Sequence, residues 1–389
     1  MTRFLLALAL CSFASLARAD DAIDVARILG LPSDAIRITS AAIRLTAYEQ
    51  DGHGYQSKAG PIGGPGSERL TVFEPQLEVR ATQGDRITHR IWVPIDVVTS
   101  ASANAIDRGA TPDVISNASR QNEAGSIDWT VDYKATPTTQ ISFRSAAHLE
   151  EEFRAWVVGM SVSQGFFEQN TVLTLGILSD LDWFDHFNLD GSRYGIARRS
   201  SNTGSLSLTQ VLSPTTLVEA SYGVTIQAGE LGNTWNIVPL EDGTVDHELL
   251  PGSRLRQSVV GRIAQALPWN AVLKGYYRFY FDDWSIVAHT FEAQYLQHLG
   301  KRLYVGAGYR HHTQTGASFF TTRANFSMPF RTADSDLAPL DSDSITGRVG
   351  IDVPRGNEGT LHFDLAYERY VRSNDLAANV FTCSTAVLF

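Results

Sequence analysis

Two histidines, His289 and His311, carry the most pointed chemistry in this chain. They flank Gly300. If that glycine centres a hairpin turn, antiparallel pairing sets Tyr295 opposite Val305, Phe291 opposite Tyr309 and His289 opposite His311, all on one face. Directly opposed residues have Cβ atoms about 4.5–5.5 Å apart, so the two imidazoles would meet. As a metal site the pair needs two further ligands, to which the sequence does not point. As part of a lipid hydrolase it needs a nucleophile and an orienting group in contact, and Ser285 is the nearby serine to name. The reading that takes precedence puts both rings, with Phe279 and Tyr309, in an interfacial aromatic belt.

Other chemistry is weaker. Asp180, Asp182, Asp185, Asn188 and Asp190-Gly191 form an acidic stretch that resembles a calcium loop. A calcium-hand loop, however, wants an acid where His186 stands and a Glu at its twelfth position, so a solvated external loop is preferred. Asp282-Asp283-Trp284 reads as a tight acidic turn with an aromatic beside it, structural before ligand-binding. There is no haem-attachment CxxCH, no P-loop and no dinucleotide fingerprint. No cofactor is therefore expected, and any electron carrier has to come from a partner. A net charge of -10 without a basic run argues against nucleic acid.

The elements that position these residues are read from the ends inward. Ala377 to Phe389 is a terminal strand whose alternate residues Phe381, Cys383, Thr385, Val387 and Phe389 form an apolar face. Gram-negative outer-membrane β-barrels end this way, and Phe389 is the candidate signal for the barrel-assembly machinery. At the other end Arg3, the apolar stretch Phe4–Leu10 and the small residues Ala17 and Ala19 resemble a secretory signal over residues 1–19. Leu10 before Cys11 fits lipidation poorly, because a small residue belongs there. Residues 20–40 follow as a periplasmic segment, with Ile23–Leu31 a candidate short helix, and the barrel occupies 41–389. Removal of the signal leaves Cys383 as the single cysteine, so no intrachain disulfide is expected. No later stretch has the eighteen or so apolar residues of a transmembrane helix, so the membrane is crossed by strands.

Between the ends, alternating stretches of about ten to fifteen residues predict an all-β, transmembrane, antiparallel up-and-down β-barrel of about sixteen strands, with fourteen the runner-up. Short periplasmic turns are expected at Thr82–Asp85, Ala135–Thr139, Gly165–Asn170, Ser213-Pro214, Pro268–Asn270, Leu299–Lys301 and Pro354–Glu358. Extracellular connectors are expected at Gly52–Ser67, Ser100–Gln121, Leu149–Glu152, Trp183–Asn202, Ala228–Ser253, Asp282–Ser285, Gln314–Asp341 and Arg372–Asp375. Period two sorts the faces. Phe73, Leu77, Val79, Ile91, Val93 and Ile95 point one way, and Glu74, Glu78, Arg80, Arg86, Arg90 and Asp96 the other. Lys274, Arg278, Glu292 and Arg310 complete the lumen-lining charges. Acids and bases are balanced, which predicts interior charge ladders without strong ion selectivity.

Three segments carry a family resemblance: Val98–Asp107, Gly63–Leu70 and the run Tyr276–Thr290, continued by Tyr309-Arg310-His311-His312-Thr313-Gln314. They resemble an uncharacterised family of outer-membrane barrels, domain of unknown function 3570, over residues 43–389. The resemblance implies the fold and the company of a thioredoxin-like protein, a small lipoprotein and a flavin transferase, hence envelope redox biology. It carries over no catalytic residues. The expected partners are the lipid bilayer with its lipopolysaccharide, the assembly machinery and a periplasmic redox protein. Three functions stay open: a pore for a small solute or ion, favoured because sixteen strands enclose an aqueous channel; a scaffold docking the redox partner; and a barrel-surface lipid hydrolase, the single enzymatic reading.

Overall fold

The computed structural model describes residues 36–52, 56–57, 60–61, 70–100, 123–233, 236–356 and 359–389. The candidate secretory signal over residues 1–19, the candidate helix at residues 23–31, and most of the connectors expected at 52–67 and 100–121 lie outside the described residues.

Among the described residues twenty strands follow in chain order. The first half comprises β1 (Arg37–Gly52), β2 (Gln56–Ser57), β3 (Gly60–Pro61), β4 (Leu70–Gln83), β5 (Ile87–Ser100), β6 (Glu123–Lys134), β7 (Thr139–Leu149), β8 (Phe153–Phe166), β9 (Thr171–Phe187) and β10 (Arg193–Ser213). The second comprises β11 (Thr216–Gly229), β12 (Ile237–Pro239), β13 (Val245–His247), β14 (Ser253–Leu267), β15 (Ala271–Asp282), β16 (Val287–Leu299), β17 (Leu303–Gln314), β18 (Leu340–Pro354), β19 (Thr360–Arg372) and β20 (Leu376–Leu388). Sixteen of them close a barrel in the order β1-β20-β19-β18-β17-β16-β15-β14-β11-β10-β9-β8-β7-β6-β5-β4, leaving β2-β3 and β12-β13 as small separate hairpins. Every wall pairing is antiparallel, and β1 closes on β20 from Ser40↔Leu388 to Gly52↔Leu376. An even strand number is what lets the last strand meet the first antiparallel. The shortest wall strand, β7, has 11 residues, enough to cross the hydrocarbon at the usual tilt.

The burial pattern is inverted relative to a water-soluble protein. Ile127, Leu175, Ile177, Phe291, Ile345 and Leu365 are exposed on the outer face, Ile177 to 68%. Neighbours on the opposite face, such as Asp128, Glu292 and Asp364, carry charge inward. A soluble chain does not expose so large an apolar belt, and lipid is the solvent that suits it.

Three boundaries differ from the sequence reading. The wall begins at Arg37, because Ile38 pairs with Ala81 and Ser40 with Leu388 to complete the seam, so residues 37–40 are strand. Trp183–Asn202 is not a long loop: β9 runs on to Phe187 and β10 resumes at Arg193. Its acids suggested solvent, but Asp185 stays within β9, held by Arg193 at 2.7 Å, and the adjoining Asp182 faces the lumen, where it takes Arg199 at 2.6 Å. Finally, Gly300 (φ 77°) opens a three-residue turn instead of centring one, and Leu299 pairs with Leu303. The register moves by two residues, which keeps every side chain on its face and changes its partner.

Candidate functional site

The lumen is lined by ion pairs that tie neighbouring strands together. On β4 and β5, Glu78 accepts from Arg80 at 2.7 Å and from Arg90 at 2.9 Å. Glu74 accepts from Gln76 at 2.7 Å. Asp128 on β6 holds Arg144 on β7 at 2.6 Å, and Asp132 accepts from Ser142 at 2.5 Å. Glu219 on β11 pairs with Arg262 on β14. Arg348 on β18 reaches Asp364 on β19 at 3.1 Å, and the Tyr304 hydroxyl donates to the same carboxylate. Gly350 lacks the Cβ that would otherwise collide with the Tyr304 ring. Arg86 is exposed in the turn before β5, at the rim. Asp96 stands opposite Ala124 in the β5–β6 register.

β14 to β17 differ. Arg254 and Arg262 have carboxylate partners, but Arg256, Lys274, Arg278 and Arg310 form no ion pair among the described residues. Arg256 donates to the Tyr280 hydroxyl at 3.1 Å, and Arg278 lies 5.2 Å from the Tyr280 ring centroid. Glu292, directly opposite Arg310, accepts instead from Gln294. A cavity of about 380 Å³ opens against the wall between Arg310, Arg348 and Arg44.

Above this lumen the connectors Glu230–Gly252 and Thr315–Pro339 fold together as a cap. One apolar cluster joins Ile237, Val238 and Leu240 to Ala324 and Ala333. A second packs Ala317, Phe319 and Leu337 of the cap on Tyr280, Trp284, Ile286 and Ala288 of β15, β16 and their turn. Tyr280 and Ala288 face the lumen, so the cap sits against the inner wall of the mouth. Arg372 of β19, the strand beside β18, holds its C-terminal end, donating to Asp336 at 2.8 Å and to the Ser335 carbonyl at 3.0 Å.

The Asp282-Asp283-Trp284-Ser285 turn is the footing of the cap. The Asp282 side chain is fully buried, holds Arg254 at 2.5 Å, and accepts from the amides of Trp284 at 3.0 Å and Ile286 at 2.9 Å. Ser285 takes the left-handed φ of 74° that this tight turn imposes. Trp284 donates its indole N–H to the Ser253 carbonyl at 3.1 Å and lies under Arg254, 4.2 Å from ring centroid to guanidinium. Two carboxyls meet where the cap segments join. Glu248 accepts from the Asn233 amide and the Thr332 hydroxyl, both at 2.7 Å, and Asp334 accepts from Asn236 at 3.2 Å. Exclusion of water, and then the Asp334 charge, push Glu248 up to about 8. Exclusion of water, and then Asp336, push Asp334 up to about 7. The sequence held no signal for this pair, because the two acids are far apart in the chain.

The histidines do not meet. His289 stands opposite Thr313 and His311 opposite Phe291, both still on the outer face, a correction that follows from the turn at Gly300–Arg302. His289 bonds the Tyr277 hydroxyl at 2.8 Å, and His311 bonds Asp343 at 2.8 Å. Ser285 Oγ bonds neither imidazole. Ser126 and His148, cross-strand neighbours missed in the sequence, do bond at 2.7 Å, but through Nδ1 and with the Glu150 carboxylate 3.6 Å from Nε2. That distance is too long for an orienting hydrogen bond. Phe389 ends the seam, its N–H donating to the Thr39 carbonyl at 3.0 Å.

A closed sixteen-stranded wall with an apolar exterior and a charged interior defines the class of bacterial outer-membrane β-barrels. Within that class, residues 179–379, just over half of the chain, match the family model described as Protein of unknown function (DUF3570), and the chain belongs to that family. The match starts after the Gly63–Leu70 and Val98–Asp107 segments. No curated protein matches. Among solved structures, a BenF-like porin from Pseudomonas fluorescens Pf-5 is 9% identical, with a TM-score of 0.47 over 90% of this chain and 99% of that one. OpdK from Pseudomonas aeruginosa with vanillate is 8% identical, TM-score 0.46, over 90% and 98%. The TodX monoaromatic hydrocarbon channel is 12% identical, TM-score 0.40, over 94% and 93%. At such identities and scores they say nothing about what this barrel carries.

Proposed function

We propose that the protein is an outer-membrane pore for a small solute, with its outer mouth governed by the cap. The observation that carries this reading is the lumen itself: sixteen strands make a barrel of channel width, and its interior is polar and charged with open space against the wall. The cap is a packed unit apart from the ladders that close the wall, resting on the Trp284 turn and held by Arg372 and Gln314, so its release can open the mouth without unmaking the wall. Purified protein in planar bilayers should give discrete single-channel steps, larger or more frequent for Trp284→Ala than for the native chain. Silent membranes with both proteins would remove the pore reading. Docking of a periplasmic redox partner and lipid hydrolysis at the barrel surface have no comparable support: the first rests on the family's company, the second on histidines that stand apart.

A further inference from the structure

We infer that the inner wall formed by β14–β17 is a track for small oxyanions, carboxylates or phosphates, and that it gives the pore an anion preference. The inference rests on the pore reading. Its starting point is that pairing, not the count of charges, sets the field inside a lumen. On β4–β10 the strand arginines that face the lumen, Arg80, Arg90, Arg144 and Arg199, each end on a carboxylate. Their charge is cancelled within a few ångströms and little of it reaches a passing solute.

Along β14–β17 four cations have no such partner, and the register spaces them down the wall. Arg256 pairs with Asp282, Arg278 with Thr290, Arg310 with Glu292, and Glu292 in turn with Tyr276. Counted along β15, the bases stand level with residues 282, 278, 276 and 274, the last being Lys274 itself. Strands rise about 3.3 Å per residue, so successive bases lie roughly 7 to 13 Å apart along the strand direction. An oxyanion leaving one base is thus within a step of the next. Two acids stand in the track, Glu292, which Gln294 engages, and Asp282, which Arg254 neutralises. The guanidiniums offer forked donors that match carboxylate and phosphate oxygens, and the half-buried Tyr276 adds a ring beside them. The chain as a whole carries a net charge of -10, which repels anions. A bare basic strip inside a low-dielectric wall is the arrangement that overcomes such repulsion locally.

The test is the reversal potential of the full-length protein in planar bilayers under a tenfold potassium chloride gradient, with citrate and inorganic phosphate then added as blockers. The native pore should be anion-selective, and citrate or phosphate should reduce its chloride current. Arg278→Gln with Lys274→Gln and Arg310→Gln should lose the selectivity and weaken citrate block about tenfold or more. Native gel mobility checks insertion of the triple variant, and the Arg278→Gln single variant, with a smaller shift in the same direction, serves if the triple does not insert. Arg90→Gln is the control: its charge is already held by Glu78, and its shift should be much smaller than that of Arg278→Gln. A conducting pore without anion preference, or equal shifts for Arg90→Gln and Arg278→Gln, overturns the track and leaves the pore standing. Absence of conductance in the native chain and in Trp284→Ala overturns both. Block by citrate without phosphate, or the reverse, identifies which oxyanion the track serves.

Discussion

The wall and the cap solve opposite problems with the same chain. In the wall, apolar side chains face out and ions face in, and stability comes from closed hydrogen-bond ladders and cross-strand ion pairs such as Asp128–Arg144 and Asp182–Arg199. In the cap, apolar residues such as Val238, Leu240 and Ala324 turn inward, as in any water-exposed domain, and the polar groups hold its edges. The wall therefore tolerates loss of a single contact, because two ladders hold every strand. Among the described residues the cap has no such ladders and relies on side-chain contacts such as those of the Trp284 turn, Arg372 and Gln314. The difference assigns rigidity to the part that crosses the membrane and conditional stability to the part that covers the mouth.

The largest break in this comparison is expected from Asp282→Ala. One carboxylate there serves Arg254, two turn amides and the Tyr280 hydroxyl, the last at 2.7 Å. Removing a buried partner strands the other charge at a cost of about 3–5 kcal/mol. The cap should detach, seen as protease cleavage within Thr315–Pro339 and raised conductance, while the barrel keeps its heat-modifiable gel mobility. Loss of the barrel itself would show that wall and cap are one cooperative unit.

A second, smaller effect is a pH response confined to the cap. Glu248 and Asp334 hold their protons more tightly in the packed cap than in a released one. As pH rises from the ordinary carboxylate range, the released state ionises first, so the packed state loses stability progressively and the loss is complete above about 8. The charges around them do not reverse the sign: Glu230 and Asp336 are acids, Arg331 is engaged by Asp246 at 2.6 Å, and Arg372 already serves Asp336. Burial pushes His247 below its usual range. Hydrogen-exchange protection in residues 230–252, corrected for the base-catalysed intrinsic rate, should fall between pH 6 and pH 8.5, and Glu248→Gln with Asp334→Asn should flatten the response. A response that persists in that double variant would place the switch elsewhere.

Within the wall the expected effects are smaller still. Gly350→Val puts side-chain atoms where the Tyr304 ring lies, so the tyrosine must leave Asp364 and loosen Arg348. A cost of about 1–3 kcal/mol is typical of such overpacking. The barrel should still insert, with a somewhat lower melting temperature and altered block at the cavity beside Arg348. An unchanged melting temperature would show that the Tyr304 network adds little to the wall.

Legibility in the sequence followed the same division. The wall was readable because period two and turn residues act locally: Pro268-Trp269-Asn270 is the turn it was read to be, and the strand total is sixteen. Its misreadings have separate causes: strand acids with the composition of a loop, and a three-residue turn at Gly300 that moves the register by two. Asp180, Asp182 and Asp185 have the composition of a loop, yet β9 carries them within the wall. The cap was not legible, since Ile237 and Ala324 meet only through tertiary packing of two long connectors. The candidate site divides likewise. The face of each charge could be read from alternation, whereas which bases keep a partner, Arg90 against Arg278, depends on register and rotamer.

The smallest expected effect comes from the residues that looked most chemical. His289 packs at 5.1 Å from Phe279 and bonds Tyr277, and His311 bonds Asp343, so each ring has a local partner on the outer face. A two-residue shift in register keeps that face, and Tyr presents the same combination of ring and polar tip to an interface. The double change His289→Tyr with His311→Tyr should insert normally, keep its heat-modifiable mobility and conduct as the native chain does. Loss of the ion pair at the exposed Asp343 carboxylate should cost no more than about 1 kcal/mol. Normal insertion together with loss of a measured activity would show that the outer face does chemistry after all, and the interfacial role of the pair would have to be given up.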